Sequence, residues 1–203
     1  MRYRFTALLL VMCLMLCGCE FSLPQMEYGF AREVSEEEQA KRLELVAATQ
    51  EWLGWKESDG SFKPIIDLYN GHEPLAQGYV VKYTDQWCAA FVSAAAIKCG
   101  MTDIIPTECG CQRQIGLFDA ISRWEEDDAY IPLPGDIIYF VLKGDLSEDC
   151  TAWSDHVGIV VGTNKDRIKV IEGNNGGAVR YRYIKIDDPT IRGYALPDYA
   201  SKT

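Results

Sequence analysis

Thr84-Asp85-Gln86-Trp87-Cys88 runs directly into Ala89-Ala90-Phe91-Val92-Ser93-Ala94-Ala95-Ala96-Ile97-Lys98, and Gly100 closes the stretch. The run is rich in alanine and holds neither glycine nor proline, so it reads as a helix. Thr84 or Asp85 is placed to cap its start, and Gly100 its end. Small residues on every side predict a buried helix closely approached by other elements. Cys88 falls in the first turn, where unpaired backbone N–H groups and the helix dipole favour an anion. A thiolate is an anion, so the position lowers the thiol pKa and raises the fraction of active nucleophile. Asp85 opposes this if its carboxylate faces the sulfur; as a cap it is aimed at backbone N–H groups instead. The alternative for a lone cysteine is a small buried hydrophobe, which is the reading of Cys99 at the helix end.

Upstream, Ser35 followed by Glu38 is a capping-box pattern. The helix it opens carries Leu43, Val46, Ala47, Trp52 and Leu53 at roughly helical spacing, with Gly54 as its stop. Glu57 to Ser61 is turn-rich, Pro64 to Tyr69 a short helix, and Asn70-Gly71 a further turn. Downstream, Gln112 to Trp124 reads as an amphipathic helix. The period then changes. Pro134-Gly135-Asp136 turns into the apolar strand Ile137 to Val141, and Gly144 to Ser154 is a polar loop. Strands follow over His156 to Val161, Arg167 to Glu172, Val179 to Ile186 and Ile191 to Leu196. Helices first and antiparallel strands after predict an α+β class, with the helices packed on the sheet.

The N-terminus stands apart. Arg2 and Arg4 precede an apolar run from Phe5 to Leu16 broken only by Thr6, the pattern of an export signal. It falls short of the ~20 apolar residues of a comfortable membrane span. Leu16-Cys17-Gly18-Cys19 has the form of a bacterial lipobox, with Cys19 as the acylated N-terminus of the mature chain; an ordinary cleaved signal or an uncleaved anchor is the alternative. The organisation is a signal over 1–19, a tether and first helix over 20–50, and one domain over 51–200. The expected location is extracytoplasmic, with membrane contact only through the signal or lipid. Lysine and arginine total 20 against 30 aspartates and glutamates, and a net charge of -10 argues against nucleic acid bound by phosphate neutralisation.

Of eight cysteines, Cys13, Cys17 and Cys19 belong to the signal. Cys88, Cys99, Cys109, Cys111 and Cys150 remain, an odd number that leaves at least one thiol unpaired or paired between chains. Cys109-Gly110-Cys111 lacks zinc-knuckle spacing and has no second pair, so no structural metal is expected. The run Glu125-Glu126-Asp127-Asp128 reads as an exposed acidic face rather than a calcium loop.

Only two histidines are available to activate a cysteine. His72 sits in a turn, whereas His156 opens a strand. If the turn from Gly162 to Asp166 pairs Val161 with Arg167, then Val160 faces Ile168, Gly158 faces Val170 and His156 faces Glu172. Facing residues share one side of an antiparallel pair, with Cβ atoms ~5 Å apart. A carboxylate beside an imidazole fixes its tautomer and stabilises the imidazolium. The backbone N–H of Cys88 is a natural oxyanion donor, and Gln86 adds a side-chain amide or is simply a solvated residue.

Asp85-Gln86-Trp87-Cys88-Ala89-Ala90-Phe91-Val92-Ser93 resembles the active-site helix of the CHAP family, the cysteine, histidine-dependent amidohydrolases/peptidases. Pro134-Gly135-Asp136-Ile137-Ile138-Tyr139-Phe140, Asp155-His156-Val157-Gly158-Ile159-Val160 and Ile171-Glu172-Gly173-Asn174 complete the series in the family's order. The resemblance covers about Trp52 to Pro197. It implies a papain-like fold related to the NlpC-type peptidases and cleavage of peptidoglycan amide bonds, as an N-acetylmuramoyl-L-alanine amidase or a peptide endopeptidase; some members bind calcium, but with no clear calcium loop in this sequence no cofactor is expected. It carries the nucleophile to Cys88, the base to His156 and the third residue to Glu172. Asn174 matches an assisting polar position, or is a turn residue of Asn174-Asn175-Gly176-Gly177. A non-catalytic wall-associated lipoprotein, and a papain-like amidase acting on another substrate, are the competing expectations.

Overall fold

The computed structural model describes residues 28–143 and 151–203. The signal over 1–19, the lipidation candidate Cys19, and Cys150 lie outside the described residues. Among the described residues no helix is long and apolar enough to cross a membrane.

Helix α1, Glu36–Gln50, starts where the capping pattern places it: Ser35 is extended and its Oγ accepts from the Glu38 N–H at 3.1 Å. The Glu38 carboxylate does not return to the cap; it accepts from Arg42 Nε at 2.8 Å. The inward face differs from the apolar stripe in the sequence. Arg42, Leu45, Val46, Ala48 and Thr49 are buried, while Leu43, Ala47 and Leu53 are exposed. The reason is an ion pair that hydrophobic spacing does not reveal: Arg42 Nη1 donates to Asp136 Oδ1 at 2.8 Å, and its guanidinium lies 4.7 Å from the centre of the Tyr199 ring. The helix also stops at Gln50 rather than at Gly54, and Trp52 turns inward to meet Phe91 edge-on with centroids 5.6 Å apart.

Helix α2 spans Lys63–Asn70. The Asn70 amide donates to Val81 O and accepts from Val81 N–H, both at 2.9 Å, fixing the loop that leads to the next helix. That helix, α3, spans Cys88–Lys98 and is buried from Cys88 through Ala96. Neither Thr84 nor Asp85 caps it. The helix begins only after Trp87, and Asp85 Oδ2 instead accepts from Lys82 N–H and Tyr79 O–H, each at 2.8 Å. At the other end Gly100 adopts φ +64°, the left-handed turn a helix stop favours. Helix α4 spans Cys111–Ala120, so the expected helix through Trp124 ends early. Trp124 and Glu125 instead form a two-residue strand, β1, at the edge of the sheet, paired with Tyr194 and Ala195.

The remaining strands are β2, Ile137–Phe140; β3, His156–Thr163; β4, Arg167–Glu172; β5, Arg180–Lys185; and β6, Ile191–Ala195. They make one antiparallel sheet in the order β1-β6-β2-β3-β4-β5. Strand alternation divides the core. Ile137, Tyr139, Val157, Ile159 and Ile171 pack with the helices, and Ile138, Phe140, Val160, Ile168 and Val170 form a second cluster on the opposite face. The fold is therefore α+β with helices on an antiparallel sheet.

Asp136 has no solvent contact and Arg42 is nearly buried. Arg42→Ala is expected to cost about 3–5 kcal/mol by leaving a carboxylate buried and unpaired. Arg42→Met combined with Asp136→Leu is expected to cost clearly less, because no charge is then stranded. Urea unfolding midpoints at constant m-value measure both; equal losses would show that packing of the arginine stem, and not its charge, matters.

Candidate active site

His156 is the first residue of β3 and Glu172 the last of β4. They do not face each other in the expected register. Ile159 faces Ile171 and Val160 faces Val170, which sets Gly158 opposite Glu172. A bulge between Val160 and Gly162 shifts the ladder, and β3 runs on to Thr163, beyond the expected strand end at Val161. The slip is two residues, and a two-residue slip keeps every side chain on its face. His156 and Glu172 are thus diagonal neighbours, and His156 Nε2 lies 2.9 Å from Glu172 Oε2. Gly158 makes room for that diagonal. A Cβ there would sit 2.5 Å from Val170 Cγ1 and 2.8 Å from Glu172 Cγ.

Glu172 is fully buried and is the hub of the site. Besides His156, it accepts from Asn175 Nδ2 at 2.8 Å and from Arg182 through both Nε and Nη2. Arg182 lies on β5 with its guanidinium 5.2 Å from the centre of the Phe140 ring. The Glu172 charge is therefore matched by a fixed cation as well as by the imidazole.

The start of α3 docks against the end of β4. A Cβ on Gly173 would lie 2.4 Å from Phe91 Cβ and 2.8 Å from the Trp87 ring, so only glycine lets the two elements close. This contact brings Cys88, the first residue of α3, to His156. Cys88 is buried, and its Sγ lies 3.6 Å from Cys111 Sγ, the first residue of α4. The Cys111 thiol is the largest influence on Cys88: by hydrogen bonding to the thiolate, and with help from His156 against the cost of burial, it brings Cys88 down to about 5. Burial pulls His156 the other way, but hydrogen bonds and charge from Cys88 and Glu172 win and raise it to about 9. Cys111 is pushed well above the ordinary thiol range, because it serves as donor to Cys88 and is buried beside that charge. The resting arrangement between those values is a thiolate beside an imidazolium.

Gln86 and Asn174 flank this pair, their amides 3.0 Å apart. With its oxygen toward the Trp87 N–H and its nitrogen toward Glu57 Oε1, each at 3.2 Å, the Asn174 amide satisfies both neighbours. Glu57 Oε1 also accepts from Trp87 Nε1 at 2.9 Å. Asn174 is a turn residue too, at φ +57°. A cleft of about 180 Å3 opens here, lined by Gln86, Leu142, His156, Asn174, Gly176 and Arg182 among others.

Five residues singled out in the sequence, Gln86, Cys88, His156, Glu172 and Asn174, thus converge on one place, and the sixth, Cys19, lies outside the described residues. Cys111, Asn175, Arg182 and Glu57 escape the sequence reading. Arg182 was within reach of the same strand counting: it faces Val170, one diagonal from Glu172. Nothing in the spacing of Cys111 or Glu57 points to the site. Among the described residues no group of three or more His, Cys, Asp or Glu side chains is arranged to hold a metal ion.

No curated protein and no solved structure matches the chain. Residues 78–174, which hold Cys88, His156, Glu172 and Asn174, match the family model of the CHAP domain.

Proposed function

We propose that the protein is an exported peptidoglycan hydrolase that cleaves an amide bond of the bacterial wall, as an N-acetylmuramoyl-L-alanine amidase or a stem- or bridge-peptide endopeptidase. The observation that carries this reading is the Cys88–His156–Glu172 arrangement, in which Cys111 and then His156 lower the thiol while Cys88 and Glu172 raise the imidazole. Binding alone needs no such pair. The CHAP match supports peptidoglycan as the substrate class.

In this reading the Cys88 thiolate attacks the amide carbonyl carbon. The oxyanion that forms is met by the Cys88 backbone N–H and an N–H of the Gln86 amide. His156 gives its proton to the leaving amine, whose C–N bond breaks to leave a thioester on Cys88. Neutral His156 then takes a proton from water as that water attacks the thioester, and the acid product leaves with the thiolate restored. Glu172 holds the imidazole through Nε2 and stabilises its charged form, so Nδ1 faces the sulfur. Arg182 and Asn175 hold Glu172 in turn.

Export and anchoring belong to the same reading. Arg2, Arg4 and the apolar run would direct the chain outward, and acylation of Cys19 would keep it at the membrane. Cells expressing the chain and fed a labelled fatty acid should label it, and Cys19→Ala should remove the label; label that survives the substitution refutes acylation at Cys19.

The decisive test is incubation of the purified protein with defined peptidoglycan beside Cys88→Ala, with fragments read by mass spectrometry. Cysteine-dependent fragments are expected, and their masses name the bond. Wild-type-like lysis by Cys88→Ala would sink the mechanism, and no fragments from several wall types with Cys88 still reactive to an electrophile would move the substrate elsewhere.

The pH profile follows from the pair. Below about 5 the thiolate is protonated and lost; above about 9 the imidazolium gives up its proton and the leaving group loses its acid. Activity is expected to be flat between these limits and to fall outside them. Glu172→Ala removes a group that raises His156, so the alkaline limb should move to lower pH. Activity should drop by about 10²-fold or more, short of the Cys88→Ala loss. An unmoved alkaline limb would mean that Glu172 does not tune His156.

A further inference from the structure

We propose that Cys88 and Cys111 form a reversible disulfide, making the candidate nucleophile a redox-controlled modification site. That oxidation silences hydrolysis rests on the function proposed above; that the two sulfurs join does not.

Amide hydrolysis uses one sulfur, and a hydroxyl at position 111 would donate the same hydrogen bond to the thiolate. The second thiol is therefore unexplained by the hydrolytic site. Its placement is specific. The Sγ atoms are 3.6 Å apart, and a disulfide needs them only about 1.5 Å closer. Each cysteine opens its own helix, so the closure draws together two helix starts rather than two helix interiors.

The approach to Cys111 is built. Glu108 Oε1 accepts from the N–H groups of Cys109 at 2.8 Å and Gly110 at 3.2 Å, and from Gln77 Nε2 at 3.0 Å. Ser93 Oγ, on α3 itself, donates to Glu108 O at 2.7 Å and accepts from Glu108 N–H at 2.9 Å. The loop carrying Cys111 is thereby bolted to the helix carrying Cys88. The other described thiols are turned away: Cys109 Sγ faces Glu108 Oε1 at 3.6 Å and Cys99 Sγ faces Glu44 O at 3.8 Å.

The chemistry balances with a small-molecule disulfide, RS–SR, as oxidant. The Cys88 thiolate attacks one sulfur, the RS–SR bond breaks, and RS⁻ leaves a Cys88–S–S–R mixed disulfide. With the thiolate charge gone, Cys111 is free of the repulsion that holds its proton. It attacks Cys88 Sγ, its proton goes to the second departing sulfur, and RSH leaves. Two protein sulfurs are oxidised and one external disulfide is reduced to RS⁻ and RSH. Excess thiol reverses both steps.

The test uses the reduced, purified protein exposed to oxidised glutathione, blocked with an alkylating agent and mapped as non-reduced peptides. A linked Cys88–Cys111 peptide is expected. Peptidoglycan cleavage should fall by about tenfold or more and return with dithiothreitol. Cys111→Ser should instead accumulate the mixed glutathione disulfide on Cys88. Wild-type protein that stops at that mixed disulfide with Cys111 alkylated, or that links Cys88 to Cys150, would overturn the proposal. The wild-type map decides even if Cys111→Ser fails to fold. Because the map does not depend on cleavage, a linked pair in a protein that cuts no wall refutes the hydrolase reading alone, and cleavage without the link refutes the redox pair alone.

Discussion

A carboxylate with no access to water has to be met by donors on every side, and Glu172 is such a carboxylate. The cost of burying one charge without compensation is several kcal/mol, about as much as the net stability of many domains. Arg182 from β5, Asn175 from the turn after β4 and His156 from β3 meet the requirement together. Each comes from a different segment, so the charge can be satisfied only when the three-strand arrangement has formed. The same set that makes Glu172 tolerable fixes the imidazole ring. Local stability and candidate chemistry are therefore one constraint rather than two.

A second charge balance is stacked on the first. Cys88 sits at a helix start, beside a thiol donor and a raised histidine, and all three favour its charged form against burial. Glycine makes the junction possible twice. Gly158 leaves space for the Glu172 stem, and Gly173 lets α3 close on the end of β4. Neither position has a left-handed φ; what each supplies is the absence of a Cβ in a contact where backbone or ring already fills the volume.

Much of this was legible in the sequence because the physics involved is local. The Ser35 cap, the Gly100 stop, the β4 bounds and the α+β order follow from capping, left-handed turns and strand alternation. The pairing of His156 with Glu172 was legible for a weaker reason: the predicted register is off by two, and only the parity of strand side chains saves it. Where the outcome depends on groups distant in the chain, local reading fails. Arg42 turns inward because Asp136 lies 94 positions away, and Leu43 is left outside in consequence. Asp85 does not cap α3 because the Lys82 N–H is a nearer donor. Cys111 looked like a failed metal knuckle because its partner is a single sulfur on another helix.

The site also does not end where the family signal ends. Residues 78–174 carry the cysteine, histidine, glutamate and asparagine. Yet Glu57, before that segment, accepts from the Trp87 indole, and its backbone N–H donates to Gly177 O at 2.8 Å. Arg182 and Asn175, after it, carry the donors that make a buried Glu172 possible. A fragment cut at the family bounds would keep the reacting atoms and lose the groups that compensate their charge. Glu172 would then sit in the sheet with His156 as its remaining side-chain donor, and the imidazole would lose the fixed carboxylate that orients it. The physical unit is set by where the last buried charge finds its partner, which in this chain is β5.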